Sequence, residues 1–267
     1  MSCPHSDLRR QIVKIGRLAY QKGWVAANDG NISVRLGPDR ILATPTGVSK
    51  GMMSAGDMIV CDMDGVKLEG SRERTSEILM HTTIYQMRPD VQAIVHAHPP
   101  VATGFAVAGR ALNLALLPEV IVGLGCIPLA GYGLPGTPEL SEALKPFNPR
   151  HDALLMANHG AVCYADELMK AFFRMETLEH CARVTLVAEL LGGPCVLPQA
   201  EVEKLVDARG RYGVQWSNGI QPDHPLAAEQ TATREPRLSL TRSELMSIVQ
   251  DAISRVERRA GDSHRVD

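Results

Sequence analysis

The stretch Ala93-Ile94-Val95-His96-Ala97-His98-Pro99-Pro100 gives the clearest indication of how this 267-residue chain folds. Its apolar residues predict a strand over 93–98, and the paired prolines predict that a helix begins directly after that strand. Side chains two positions apart on a strand point to the same face of the sheet. We therefore expect His96 and His98 side by side, an arrangement in which two imidazoles can bind one divalent metal ion.

Helices and strands are mixed irregularly on both sides of this stretch. Helices are predicted over 6–22, 76–87, 138–144 and 166–191, with a short one beginning at 202–206, and strands over 32–36, 41–44, 58–61 and 153–156. The apolar, glycine-rich segment 112–136 is expected to contain strand and loop. Because the chain lacks a regular βαβ repeat and the glycine-rich nucleotide-binding motifs, these elements favour a layered α/β sheet over a TIM barrel or a Rossmann fold.

The composition excludes several classes of protein. The chain has 28 basic and 30 acidic residues, so it has no basic surplus for binding nucleic acid or an anionic membrane surface. No apolar run reaches the roughly 18 residues of a membrane span, and the N-terminus lacks the apolar core of a signal peptide. The six cysteines form no C-x-x-C pair, which is typical of reduced, buried thiols. We expect a cytoplasmic protein.

A third histidine and one carboxylate extend the candidate metal site. His159 follows the predicted strand 153–156, where Gly160 permits a sharp turn of the backbone. Three histidines leave one coordination position open, as catalytic zinc sites do. Glu77 begins the helix predicted over 76–87, where a carboxylate also stabilises the helix dipole. A metal site and ordinary structural roles for these four residues both remain open on the residues alone.

Three short segments combine glycine with small polar side chains. They are Gly30-Asn31-Ile32-Ser33, Thr44-Pro45-Thr46-Gly47 and the pair Thr75-Ser76 at the predicted helix start. Free backbone N–H groups and hydroxyls of this kind can bind a phosphate or a carboxylate. Each segment alone is better explained as turn chemistry.

Taken together and in this order, the five motifs resemble the class II aldolase/adducin superfamily, and most closely its fuculose-phosphate aldolase branch. They are Gly-Asn-Ile-Ser, Thr-Pro-Thr-Gly, Thr-Ser-Glu, His-Ala-His and Asn-His-Gly, and the similarity extends over residues 6–216. The resemblance implies a three-layer α/β/α domain with a mainly antiparallel central sheet. It also implies a homotetramer whose active sites lie between subunits.

The resemblance further implies roles for individual residues. Glu77 is implied as the catalytic acid/base, which also ligates the metal when substrate is absent, and Tyr212 as a residue that closes over the active site. No lysine stands in a setting that suggests Schiff-base chemistry. The implied ligands of one zinc ion per subunit are His96, His98 and His159, and the implied phosphate-site residues are Gly30, Asn31, Thr46, Gly47, Thr75 and Ser76.

The implied reaction is cleavage of a ketose 1-phosphate, of the L-fuculose or L-rhamnulose type, into dihydroxyacetone phosphate and lactaldehyde. Epimerases of the superfamily carry Asp where Glu77 stands, so Glu77 favours aldol cleavage. The segment 116–120 lacks the tyrosine that fuculose-phosphate aldolases place on the aldehyde side, and Glu119 is a candidate replacement. A superfamily decarboxylase, an epimerase and a non-catalytic, adducin-like assembly protein remain alternatives.

The last fifty-odd residues form a separate part of the sequence. Every aromatic residue lies at or before Trp216, and 217–237 has the composition of a linker. Thr241 and Glu244 form a predicted capping box, followed by apolar residues at helical spacing. We thus expect a catalytic domain over 1–216 and an amphipathic helix within 238–267. This helix either folds back on its own tetramer or docks on a partner. Its segment 239–258 resembles the encapsulation peptides that direct enzymes into bacterial microcompartments.

Overall fold

The computed structural model of this chain describes residues 5–214, 225–227, 243 and 246–247. The chain divides into two compact units, Met1–Gln230 and Thr231–Asp267. All the strands and helices described below belong to the first unit. Within the described residues, no helix is both long and apolar enough to cross a membrane.

An eight-stranded sheet forms the centre of the first unit. Its strands are β1 (Asn31–Arg35), β2 (Arg40–Ala43), β3 (Ile59–Asp62), β4 (Lys67–Glu69), β5 (Ala93–Ala97), β6 (Leu129–Ala130), β7 (Ala153–Met156) and β8 (Gly160–Ala165). Neighbouring strands pair in the order β4-β3-β2-β1-β5-β8-β7-β6. Every neighbouring pair is antiparallel except β6 and β7, which are parallel. The fold is therefore α/β with a mainly antiparallel sheet, as predicted.

Helices cover both faces of this sheet and make the fold three layers thick. The α-helices of the described residues are α1 (Ser6–Gln21), α2 (Ile78–Met87), α3 (Pro100–Val107), α4 (Pro118–Gly123), α5 (Pro138–Leu144), α6 (Leu168–Leu190) and α7 (Gln199–Ala208). Ala93, Val95 and Ala97 of β5 pack in one apolar cluster with α1, α3 and α6, whereas Ile94 packs in a second cluster with α2 and α5. His96 shares the face of Ile94, because side chains alternate along a strand.

Some elements were not predicted from the sequence. β8 lies between β5 and β7, and all six of its residues are buried, so it lacks the alternation that marks a half-exposed strand. The segment 112–136, expected as strand and loop, also contains the six-residue helix α4, which is too short to show a helical period. β6 has only two residues and β4 only three.

The first unit extends past residue 216, where we expected the catalytic domain to end. Leu226 pairs with Leu114, and its backbone N–H donates to the carbonyl of Asn113. Ala227 is fully buried in a third apolar cluster with Ile121 and Val202. These residues of the expected linker 217–237 therefore pack as part of the fold. The expected helix within 238–267 lies outside the described residues, apart from Ser243, Met246 and Ser247, which are helical.

Arg88 joins the end of α2 to the start of β7 through a buried ion-pair cluster. Its guanidinium donates to Asp90 and Asp152, each at 2.8 Å, and to the carbonyl of Asn148 at 2.9 Å. The side chains of Arg88 and Asp152 are 4% and 3% exposed. Asp152 also pairs with Arg174 at 2.9 Å, so removal of Arg88 takes away one of its two buried charged partners and the hydrogen bonds to Asp90 and Asn148.

We expect Arg88→Met to lower the free energy of unfolding by about 3 kcal/mol, because Asp90 and Asp152 both lose a charged partner. Urea unfolding followed by circular dichroism measures this change. Arg10→Met is the matched control, since Arg10 pairs with Asp7 on the exposed side of α1 and its loss should cost under about 1 kcal/mol. Equal stability of Arg88→Met and the wild type would contradict the role given to Arg88.

Candidate metal centre and substrate site

Three imidazoles converge at the centre of the sheet. His96 lies on β5, His98 follows the end of that strand, and His159 lies in the turn between β7 and β8. The Nε2 atoms of His96 and His98 are 3.2 Å apart. One ring nitrogen from each of the three histidines lies within 4.8 Å of the others. The structure thus brings together the three residues that the sequence suggested as metal ligands.

Two local features let β5 and the β7–β8 turn approach each other. Asn158 has a positive φ of 54°, a conformation that asparagine tolerates better than most residues, and this makes the turn. A Cβ at Gly160 would lie 2.5 Å from Cδ2 of His98 and 2.7 Å from the carbonyl oxygen of Ala97. Gly160 is therefore required for the close contact with His98. The sharp turn that we expected from Gly160 is made by Asn158.

A backbone hydrogen bond fixes which nitrogen of His96 faces the cluster. Nδ1 of His96 donates to the carbonyl oxygen of Ala161 on β8 at 2.9 Å. The lone pair of the neutral ring then lies on Nε2, which points towards His98 and Glu77. Histidine ligands of metals are oriented by hydrogen bonds of this kind.

Glu77 directs its carboxylate into the cluster. It is the N-cap residue of α2, yet its side chain makes no capping hydrogen bond. Oε2 lies 3.2 Å from Nε2 of His96, and Oε1 lies 3.0 Å from Nε2 of His159. The amide of Asn31 donates to Oε2 at 2.6 Å. Among the described residues, the buried Oε1 has no donor in good hydrogen-bonding geometry, and the buried Nδ1 of His159 has no partner.

The electrostatics of the cluster suit a bound cation. Burial acts to raise the pKa of Glu77, but the nearby His96 and His159 outweigh it and hold that pKa well below the usual range. Burial and the neighbouring imidazoles lower the pKa of His98 to about 4, so His98 is neutral at pH 7. Burial opposes a charge on His96, yet the carboxylate of Glu77 raises its pKa. A buried carboxylate whose two oxygens face imidazole nitrogens fits a divalent metal ion.

The three polar segments lie next to each other beside this cluster. The backbone N–H of Ile32 donates to Oγ1 of Thr44, and the N–H of Thr46 donates to the carbonyl of Glu73. Pro45 also pairs with Arg74. Thr46, Gly47 and Ser76 are exposed, whereas Thr75 is buried and accepts a hydrogen bond from the N–H of Glu77.

Unlike the exposed residues of these segments, Gly30 packs against β5 and Asn31 against Glu77. Gly30 has a φ of 69°, and a Cβ there would lie 2.8 Å from the carbonyl oxygen of His96. Asn31 is 3% exposed and donates to Glu77, so its amide is directed to the carboxylate. Gly30 therefore allows the contact between its loop and β5, and Asn31 links that loop to Glu77.

Lys50 is a buried residue of this region that the sequence did not single out. It is 2% exposed, and its Nζ donates to the carbonyl oxygens of Asn28 and Val48, each at 2.9 Å. It thereby ties the segment before Gly30 to the loop after Gly47. Burial lowers the pKa of Lys50 to about 8, although Asp29 and Glu77 act in the opposite direction. Lysine is rarely buried, so no feature of the sequence predicts that Lys50 lies in the interior beside this site.

Glu119 and Tyr212 lie elsewhere on the described part of the chain. Glu119 is in the first turn of α4 and lines a groove with Lys170 and Val214, among other residues. Tyr212 ends a 3₁₀ turn, Arg209–Tyr212, and is 65% exposed. Among the described residues of one chain, neither Glu119 nor Tyr212 contacts any of the three histidines.

We expect the stability contributed at Lys50 to depend on pH. Its pKa is about 8 in the folded chain and about 10.5 when exposed, so the unfolded chain binds more protons between these values. The free energy of unfolding should therefore rise with pH through this window, by about 2 kcal/mol between about pH 7.5 and about pH 9.5. Lys50→Met should lose this gain. Urea unfolding at both pH values measures it.

Lys14→Met is the control for this prediction, because Lys14 is exposed on α1 and its removal should leave the pH dependence unchanged. An identical pH dependence for the wild type and Lys50→Met would show that Lys50 is not a buried, titrating cation.

Comparison with known proteins agrees with this geometry. Over 210 residues, the chain is 31% identical to the 5-deoxy-D-ribulose 1-phosphate aldolase of Bacillus thuringiensis serovar kurstaki, covering 78% of this chain and 97% of that protein. Over 177 residues, it is 33% identical to the 3-oxo-tetronate 4-phosphate decarboxylase of Haemophilus influenzae, covering 65% and 84%. These two relatives are therefore named for different reactions, one as an aldolase and the other as a decarboxylase.

A solved structure named L-fuculose 1-phosphate aldolase superimposes with a TM-score of 0.72 at 30% identity, covering 80% of this chain and 99% of that one. Residues 10–186 match the family model described as the Class II Aldolase and Adducin N-terminal domain. This match includes all three converging histidines and Glu77. The chain therefore belongs to the class II aldolase/adducin superfamily.

Proposed function

We propose that this protein is a zinc-dependent aldolase that cleaves a ketose 1-phosphate of the L-fuculose or L-rhamnulose type. The products are dihydroxyacetone phosphate and lactaldehyde. The observation that carries the proposal is the contact of the buried Glu77 carboxylate with two of three converging imidazoles, beside loops suited to a phosphate. Aldol cleavage needs a positive charge, a proton carrier and an anchor for the substrate at one place.

His96, His98 and His159 are the residues that would hold the metal, with Glu77 as a further ligand when no substrate is bound. When bound, a divalent ion supplies a Lewis acid that stabilises negative charge developing on the substrate oxygens. Three imidazole ligands add no negative charge, so the full charge of the ion remains available. The preference for zinc comes from the family resemblance, since three histidines also suit other divalent ions.

Glu77 is the residue placed to move protons. In the cleavage, the bond between C3 and C4 of the ketose breaks and its electron pair stays with the dihydroxyacetone phosphate fragment. The C4 hydroxyl gives up its proton as it becomes the aldehyde, and C3 gains a proton to complete the ketone. A carboxylate held in its ionised form by neighbouring imidazoles can take up one proton and return it.

The exposed loop residues form the proposed phosphate anchor. Thr46 and Ser76 present hydroxyls and Gly47 a backbone N–H near the start of α2, where the buried Thr75 accepts from the N–H of Glu77. Gly30 is the remaining glycine of the proposed anchor. A helix N-terminus favours a negatively charged group. The ammonium of Lys50 adds positive charge behind the same loops.

We propose that the active protein is a homotetramer whose sites lie between subunits. Phe173, Val187 and Leu190 on α6 are 53%, 54% and 79% exposed, and exposed apolar side chains on one helix are typical of an interface. Tyr212 and Glu119 would then serve the histidine cluster of a neighbouring subunit. Tyr212 would close over that site, and Glu119 would act on the aldehyde oxygen in place of the absent tyrosine.

Decarboxylation of a phosphorylated 3-oxo acid is the second candidate function. The named decarboxylase relative and the absence of a tyrosine from 116–120 both favour it. It would use the same metal and phosphate positions, because loss of carbon dioxide beside a carbonyl also leaves negative charge on an oxygen. Glu77 disfavours an epimerase, and the retained histidines disfavour a non-catalytic assembly protein.

The test is a coupled assay for dihydroxyacetone phosphate over a panel of ketose 1-phosphates, with zinc present. We expect turnover by the wild type and a loss of about 10²- to 10⁴-fold in Glu77→Gln, because the proton carrier is removed. Glu203→Gln on α7 is the matched control, since Glu203 is exposed, and it should keep full activity. Release of carbon dioxide from 3-oxo-tetronate 4-phosphate, with no ketose 1-phosphate cleaved, would replace the aldolase by the decarboxylase.

We propose that residues 239–258 are a docking helix for a microcompartment shell protein. Support comes from the predicted capping box and apolar face, and from the solved structure named above, 99% of which is matched by only 80% of this chain. Deletion of 238–267 should keep the tetramer and its activity but abolish binding to a purified shell protein. Light scattering, the aldolase assay and a pull-down measure the three properties. Loss of activity or of the tetramer would show instead that the helix folds back on its own tetramer.

A further inference from the structure

A continuous row of hydrogen-bonded, buried polar side chains leads from the core of the protein to Glu77. The hydroxyl of Tyr85 lies 2.9 Å from Oγ of Ser33, and Oγ of Ser33 lies 2.6 Å from Nδ1 of His81. Nε2 of His81 contacts Oδ1 of Asn31, whose amide donates to Oε2 of Glu77. None of the four residues before Glu77 is more than 3% exposed.

The residue spacing on α2 and on β1 aligns these side chains in one row. Glu77, His81 and Tyr85 are four residues apart and therefore lie on one face of α2. Asn31 and Ser33 are two residues apart on β1 and therefore point to the same face of the sheet. The side chains from the strand alternate in space with those from the helix. Five residues from two elements thus form one hydrogen-bonded row.

The carboxylate at one end sets the direction of every hydrogen bond. A carboxylate only accepts, so the Asn31 group facing Glu77 must be its NH₂. Oδ1 of Asn31 then faces His81 and requires a donor, which is Nε2–H of the ring. Nδ1 of a neutral His81 in turn accepts from the hydroxyl of Ser33, and Ser33 accepts from Tyr85. Burial lowers the pKa of His81 to about 3, in agreement with a neutral ring.

We propose that His81, oriented by Ser33 and Tyr85, is a positioning residue that holds the Asn31 amide with its NH₂ towards Glu77. Without the Nε2–H donor, the amide can turn its oxygen towards the carboxylate, which removes a hydrogen bond from Glu77 and opposes its charge. The hydrogen-bonded row ends at Tyr85 inside the core, so it positions Glu77 and does not carry protons to solvent. The proposal rests on the function proposed for Glu77.

Two substitutions of His81 separate positioning from packing. Gln places an amide N–H close to the position of Nε2, whereas Phe keeps a ring of similar size but has no donor. We expect His81→Phe to lower kcat about 10- to 100-fold with KM changed little, as substitutions behind a site residue typically do. His81→Gln should recover most of kcat. Ser33→Ala, a smaller change, should give an intermediate loss. Thermal unfolding and bound zinc are measured for each variant.

Equal losses in His81→Phe and His81→Gln, or wild-type kcat in His81→Phe, would overturn the proposal. A second measurement does not depend on activity. Comparison of ¹⁵N NMR spectra of histidine-labelled wild type and His81→Gln assigns the His81 signals. We expect a neutral ring protonated at Nε2; a proton on Nδ1 would overturn the proposal. If the wild type cleaves no ketose 1-phosphate, the aldolase proposal fails, whereas the tautomer still tests the hydrogen-bonded row.

Discussion

The buried carboxylate of Glu77 is the constraint on which the site depends. A carboxylate removed from water is strongly destabilising unless opposite charge and hydrogen bonds compensate it. Here Asn31 supplies one hydrogen bond, and His96 and His159 supply nitrogens at 3.2 and 3.0 Å. The Glu77 carboxylate raises the pKa of His96, so a positive charge beside Glu77 is favoured. A divalent ion held by the deprotonated imidazoles would supply such a charge, and its binding would compete with protons.

The sheet topology explains why these groups meet. β1, β5 and β8 are adjacent in the middle of the sheet, so Asn31, His96 and Val162 lie side by side although they are far apart in sequence. Glycine at two crossing points, Gly30 and Gly160, allows backbone to approach within contact distance of β5. The helix α2 then places Glu77 over the same strand. A site built on central strands is more rigid than one on loops alone, as the positioning of a metal and a proton carrier requires.

Local patterns in the sequence were sufficient for much of this description. The helix over 138–144 and the strand over 153–156 have the predicted bounds, and the two histidines of His-Ala-His do lie together. Elements and residues that give no local signal in the sequence were not predicted. β8 is buried on both faces, and Lys50 is a charged residue in the core. His81 lies in mid-helix without a motif, and its role follows only from the register of α2 against β1.

The proposed reaction depends on a metal ion held by His96, His98 and His159. X-ray absorption at the zinc edge of the zinc-loaded protein tests this proposal most directly, because multiple scattering counts imidazole ligands. We expect three imidazole nitrogens at about 2.0 Å with oxygen completing the shell, and a loss of one imidazole in His159→Ala. Fewer than three imidazoles in the wild type, a sulfur ligand, or an unchanged spectrum in the variant would contradict it.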